Sequence, residues 1–129
     1  MEALVVFTNE NNHWLGSALH PDFRHVYCVV PTAEGVVTEV NLTVDGVKLT
    51  SWGGGARSLR QFYAHLPETT HCLLTDYQPQ ERHLLPYVLN NCVGLTKQLL
   101  GRRDWSITPR QLFQVLSKEP DPCADLISL

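Results

Sequence analysis

Short apolar segments, separated by turn-forming residues, predict strands in the first half of the chain. The segments are rich in valine and other β-branched residues, which favour strands over helices. Pro31 is expected to end the second segment, and the Asp45–Gly46 pair predicts a tight turn between the third and the fourth. The four predicted strands are 3–8, 25–30, 35–44 and 47–52, of which the last three form an antiparallel meander.

In the second half of the chain the apolar residues follow helical spacing. After the Gly53–Gly55 run, which is expected to be a flexible connector, apolar positions recur at intervals of three and four residues. Thr108 followed by Pro109 is typical of a helix start, and Gly101 is typical of a helix end. One predicted helix begins at Ala56, and two others cover 91–100 and 108–118. A further strand is predicted over 71–77.

Strands that come before helices predict an α+β fold with a helix packed on an antiparallel sheet. The 129 residues correspond to one domain, residues 1–129. Hydrophobic residues make up 43% and charged residues 18% of the chain, which is typical of a folded domain with its own core. The sequence therefore predicts a core that needs no disulfide framework.

Charge and hydropathy exclude two classes of partner. The formal net charge of −3 gives no basic surface for nucleic acid. The longest apolar runs, such as ALVVF, are far shorter than the roughly 20 residues of a membrane span. The four cysteines lie far apart and form no CxxC pair, which favours reduced thiols and a cytoplasmic site of synthesis.

Cys92 is the candidate nucleophile. It stands in NNCVGLTKQLLG, just inside a helix that Asn90 can cap, where free backbone N–H groups and the helix dipole favour a thiolate. Its helix face, shared with Leu95 and Leu99, should pack on the sheet. A buried structural cysteine is the alternative interpretation.

His25 is the candidate base, because it opens a strand and a histidine there can titrate near neutrality. Side chains alternate along a strand, so His25 shares a face with Tyr27 and Val29, and a helix packed over that face could bring a thiol to it. The alternative interpretation is a solvated or capped histidine at the end of a loop, with no role in catalysis.

Asn41 is the candidate for a third group that orients the imidazole, with Glu39 as the second choice. A turn centred on residue 33 places Asn41 opposite His25. A slip of one residue would move the side chain to the other face of the sheet. The alternative is a polar residue at a strand end that faces water.

The order of these motifs, RHVYCVV before NNCVGLTKQLLG, resembles the permuted papain-like cysteine hydrolases. That group contains cell-wall peptidases and amidases and the relatives of lecithin retinol acyltransferase. The resemblance covers residues 25–101 and implies a permuted papain-like fold in which Cys92 is the nucleophile, His25 the base and Asn41 the orienting residue. It also implies a peptide or amide substrate. The segments CVGLTKQLLG and ITPRQLFQVL are similar to small proteins of tailed-phage genomes.

Two other functions remain open. A non-catalytic structural or interaction protein, for example a virion component bound to other virion proteins, would use Cys92 only to fill its core. A regulatory binding module with a free thiol is another interpretation. A zinc site is weighed because of the six histidines and four cysteines, but their spacing matches no structural zinc motif, so neither a metal nor a cofactor is expected.

Overall fold

A computed structural model describes residues 1–10, 20–43, 45–78, 92–101, 106 and 108–119 of the chain. These residues form an antiparallel sheet and helices on both of its faces, which confirms the predicted α+β class. In chain order the elements are β1 (Glu2–Thr8), β2 (His25–Ala33), β3 (Val36–Thr43), β4 (Gly46–Gly53), α1 (Ala56–Ala64), β5 (Thr69–Asp76), α2 (Cys92–Leu100) and α3 (Pro109–Leu116).

The sheet has five strands in the order β4-β3-β2-β1-β5, and every neighbouring pair is antiparallel. The predicted meander of β2, β3 and β4 is therefore confirmed. Strand β5 returns to the other side of β1, where Leu4 lies opposite Leu74. As a result β1 and β2, the most apolar strands of the chain, occupy the inside of the sheet.

Helices cover both faces of the sheet and bury a hydrophobic cluster under each. The cluster under α1 consists of Leu4, Val6, Tyr27, Val29, Val37, Ala56, Tyr63 and Leu74. The cluster under α2 and α3 consists of Ala3, Val5, Phe7, Phe23, Val26, Cys28, Val30, Val93, Leu100, Leu112 and Leu116. Successive residues of one strand thus enter different clusters, which explains why β1 is apolar at consecutive positions.

Strand β4 lies at one side of the sheet and is the most exposed strand. Val47 and Leu49 are 49% and 65% exposed. The unpaired side of such a strand presents backbone donors and acceptors to solvent. None of the helices that the structure describes, in whole or in part, is long and apolar enough to cross a membrane.

The prediction that Pro31 ends β2 was wrong, because the strand continues to Ala33. Pro31 lies opposite Val37, and the register with β3 shifts between Pro31 and Ala33. Proline has no N–H to donate, and an irregularity of the ladder is a position where a strand tolerates it. The proline therefore marks a bulge and not a strand end.

The glycine run before α1 is ordered. Gly54 has a φ of +106°, a conformation that favours glycine, and its N–H donates to the Gly35 carbonyl at 2.8 Å. Ser58 then closes the first turn of α1: its hydroxyl accepts from the Gly55 amide and donates to the Gly55 carbonyl. The run is thus a specific turn that fixes where α1 begins.

The predicted ends of two helices are confirmed. The Thr108 hydroxyl accepts from the Gln111 amide at 3.3 Å, and the Gln111 side chain accepts from the Thr108 amide at 3.2 Å. This reciprocal pair satisfies two amides that the first turn leaves free. Gly101 adopts the expected left-handed conformation after α2, with a φ of +72°. The predicted cap Asn90 lies outside the described residues.

Candidate functional site

His25 and Asn41 are joined by a buried hydrogen bond at one end of the sheet. His25 is the first residue of β2 and is 3% exposed, and its Nε2 lies 2.6 Å from the Asn41 Oδ1. An amide oxygen only accepts hydrogen bonds, so the imidazole donates through Nε2–H. In the neutral ring Nδ1 then carries the lone pair, which is the form that a base at Nδ1 requires.

The register between β2 and β3 differs from the one that the sequence predicted for His25 and Asn41. Cys28 lies opposite Val40, and continuing that register places Thr43, not Asn41, opposite His25. The predicted turn centre was wrong because β2 and β3 extend around a bulge at Pro31 and Ala33. The residue opposite His25 is thus two positions away from the predicted one. Because side chains alternate along a strand, a shift of two residues keeps Asn41 on the face of His25, and the two residues meet as diagonal neighbours.

Glu39, the second choice for the orienting group, bonds other partners. Its Oε1 accepts from the Tyr63 hydroxyl at 2.8 Å, and its Oε2 accepts from the Asn41 Nδ2 at 3.5 Å. Tyr63 in turn accepts from the Trp52 Nε1 at 2.9 Å. A continuous chain of hydrogen bonds therefore runs from the indole of Trp52 to the imidazole of His25.

The sequence interpretation missed Tyr63 and Trp52 as members of the site. Helical spacing assigned Tyr63 to the core, where its ring does lie, 1% exposed. The available signal was chemical: a buried tyrosine needs a partner for its hydroxyl, and a strand carboxylate on the face that α1 covers is a suitable one. Such a pairing across layers cannot be read from spacing alone.

Cys92 is the first residue of α2, and its sulfur lies against backbone amides. Burial raises the pKa of the Cys92 thiol above its ordinary value, while hydrogen bonds from the amides of Val26, Cys92 and Val93 lower it. Burial is the larger effect. The expectation that the helix terminus would leave a thiolate was therefore wrong on balance, and the resting group is a thiol.

Helix α2 covers the face of β2 opposite to the one predicted. It packs with Val26, Cys28 and Val30, whereas His25 shares the other face with Tyr27, whose ring centroid is 6.1 Å from that of the imidazole. The Cys92 sulfur meets the amide of Val26, which belongs to the peptide that follows His25. The amide that lowers the pKa of the thiol therefore follows the base in the chain, whereas the hydrogen bond of the His25 ring goes to Asn41.

Burial also determines the charge of His25. Desolvation lowers the pKa of the imidazole below 6.5, and this outweighs the hydrogen bond to Asn41 and the carboxylates of Glu10 and Glu39, all of which raise it. Near neutral pH the ring is therefore uncharged. A neutral imidazole can accept the proton of a thiol that comes within hydrogen-bond reach during attack by sulfur.

The lowered pKa of His25 predicts a loss of stability in mild acid. Below pH 6.5 the unfolded chain takes up a proton at this residue before the folded chain does, so the free energy of unfolding falls as the pH decreases. The slope for one proton is at most about 1.4 kcal/mol per pH unit. Urea unfolding at pH 7.5 and 5.5 should show a larger loss for the wild type than for His25→Gln.

Exposed His65 provides the control for this comparison. His65→Gln should lose as much stability between the two pH values as the wild type does. Equal losses in the wild type and His25→Gln would show that His25 is not buried in its neutral form.

The described cysteines 28, 72 and 92 are not disulfide-bonded. Within the described part of the chain, no group of three or more histidine, cysteine or acidic side chains is placed to hold a metal ion. Comparisons with family models, curated proteins and solved structures give no match to this chain.

Proposed function

We propose that the protein is a cysteine hydrolase of the peptidase or amidase type, in which Cys92 is the nucleophile, His25 the base and Asn41 the group that orients the base. The observation that carries the proposal is the buried 2.6 Å hydrogen bond between the His25 Nε2 and the Asn41 Oδ1. It leaves Nδ1 as the basic atom. The amide contact between Val26 and the Cys92 sulfur supports the proposal, because it holds the thiol beside the peptide that carries the base.

The reaction uses a proton transfer within this pair. As the sulfur attacks a substrate carbonyl carbon, Nδ1 of His25 takes the thiol proton and the carbonyl oxygen becomes an anion. Backbone amides at the start of α2 donate to that anion. The carbon–nitrogen or carbon–oxygen bond then breaks, and the leaving group takes the proton from Nδ1. Water, deprotonated by Nδ1, attacks the thioester, releases the acid and restores the thiol.

The mechanism requires substrate binding to bring the Cys92 sulfur within hydrogen-bond reach of the His25 imidazole, although α2 and His25 lie on opposite faces of β2. Catalytic hydrogen bonds are often long in a free enzyme and tighten in the complex. The order of the chain supports a permuted papain-like arrangement, with the histidine strand first, the asparagine strand next and the cysteine helix last. A peptide or other amide is the proposed substrate class.

An activated ester tests the proposal without knowledge of the natural substrate. With p-nitrophenyl acetate at pH 7.5, we expect a burst of one p-nitrophenolate per chain and one acetyl group on the Cys92 peptide in the mass spectrum. Cys92→Ser should remove the burst. Cys72→Ser is the matched control, because burial raises the pKa of the Cys72 thiol to about 11 and the proposal gives this thiol no base. Acetylation of Cys92 no faster than that of Cys72 would refute the proposal.

A non-catalytic structural or interaction protein, including a virion component, is the second candidate. Two observations favour it: burial keeps the Cys92 thiol protonated, and Val47 and Leu49 expose apolar surface on β4. Absence of the acetyl burst in the experiment above is the result that this function predicts.

A further inference from the structure

We infer that Glu39 is a positioning residue: through Asn41, it fixes the His25 tautomer that carries its proton on Nε2. This inference goes beyond the three proposed catalytic residues, and its consequence for the reaction rests on the proposed hydrolase function. It is carried by the directions of four linked hydrogen bonds, each of them buried or partly buried.

The chain of hydrogen bonds begins at a group that can only donate. The indole Nε1–H of Trp52 donates to the Tyr63 hydroxyl oxygen at 2.9 Å. The hydrogen of that hydroxyl is then directed to the Glu39 Oε1 at 2.8 Å. One carboxylate oxygen is thereby engaged, and the other faces Asn41.

The second carboxylate oxygen determines which way the Asn41 amide points. The NH₂ group of Asn41 only donates, and its Nδ2 lies 3.5 Å from the Glu39 Oε2. A flipped amide would instead direct Oδ1 at the carboxylate, so that two acceptors would face each other. With Nδ2 on Glu39, the amide oxygen is left for the imidazole.

The orientation of Asn41 in turn selects the tautomer of His25. Its Oδ1 can only accept, so the His25 Nε2 must carry the hydrogen. A flipped Asn41 would present NH₂ to Nε2 and place the hydrogen on Nδ1, and an imidazole in that form could not take a proton through Nδ1. Glu39 therefore controls the base without contacting it.

Nuclear magnetic resonance reads this tautomer directly. Long-range ¹H–¹⁵N correlations of the His25 ring at pH 7.5 should show Nε2 protonated and Nδ1 unprotonated in the wild type. Glu39→Gln should reverse this pattern. The oxygen of the introduced amide would accept from Tyr63, and the NH₂ group of the same amide would face the NH₂ of Asn41, which then turns over.

Removal of the tyrosine hydroxyl provides both the control and the rescue. Tyr63→Phe alone leaves the carboxylate as the acceptor for Asn41, so the wild-type tautomer should persist. In the double variant Glu39→Gln with Tyr63→Phe, the oxygen of the introduced amide is free to accept from Asn41, so the wild-type tautomer should return. A residue that only supported the fold would give no such recovery. Glu34→Gln, at an exposed position, controls for the loss of charge.

The two proposals fail in different ways. A wild-type His25 protonated on Nδ1, or a Glu39→Gln variant that retains Nε2–H, overturns the inference whether or not Cys92 reacts. Should Glu39→Gln fail to fold, a ring protonated on Nδ1 in the wild type or in Tyr63→Phe would still overturn the inference. Acetylation of Cys92 should slow at least about tenfold in Glu39→Gln and recover in the double variant. A tautomer that switches in a protein without any acetylation of Cys92 would refute the hydrolase alone.

Discussion

Acylation of Cys92 by an activated ester is expected to slow by about 10²- to 10⁴-fold when His25 is replaced by alanine, the range that a positioned general base contributes. The reason is that burial raises the pKa of the thiol, so little thiolate exists near neutral pH and attack depends on a base at the moment of reaction. Stopped-flow measurement of the p-nitrophenolate burst at pH 7.5 provides the rate.

The pH profile gives this prediction a second readout. Because burial lowers the pKa of His25, the wild-type rate should stay constant to a pH below 6.5 before it falls with protonation of the ring. His65→Ala changes an exposed imidazole and should leave the rate unchanged. A His25→Ala rate within twofold of the wild type, in a variant shown to be folded by circular dichroism, would eliminate His25 as the base.

Replacement of Phe7 by alanine is expected to lower the free energy of unfolding by about 3–5 kcal/mol, the usual result of removing a phenylalanine from a packed core. Phe7 is fully buried on β1, and its ring meets those of Phe23 and Phe113 edge-on, with centroids 5.8 and 5.4 Å away. Neighbours fixed on β1, α3 and the segment before β2 cannot collapse fully into the space left behind.

Urea unfolding monitored by circular dichroism measures this loss, and Phe62→Ala is the matched control. Phe62 lies on α1, is 48% exposed and contacts the rings of Trp52 and Tyr63. The same deletion there should lower the free energy of unfolding by less than half as much. Equal losses at the two positions would show that the cluster around Phe7 is loosely packed.

Local signals predicted the elements of this fold well. Apolar runs located β1 and β2, the Asp45–Gly46 turn joined β3 to β4, and Thr108 with Pro109 marked the start of α3. Each of these signals acts within a few residues of the chain. The sequence also predicted that Asn41 and His25 would lie on one face of the sheet.

Such local signals do not predict the contacts between the sheet and the helices. Which face of β2 would receive α2 depends on the packing of the whole sheet, and the prediction chose the face of His25 where the structure has that of Val26. The balance between burial and backbone amides at Cys92 likewise depends on how deeply the sulfur lies. The contact between Glu39 and Tyr63 joins residues 24 positions apart, which no periodic pattern encodes.

The position of β1 between two clusters also bears on how this sequence can change over time. Ala3, Val5 and Phe7 fill the space under α2 and α3, while Leu4 and Val6 fill the space under α1. A change of volume at any of these positions displaces the strand that supports both packed layers. Drift along β1 therefore requires compensating substitutions on either side of the sheet, whereas exposed β4 can accumulate changes one at a time.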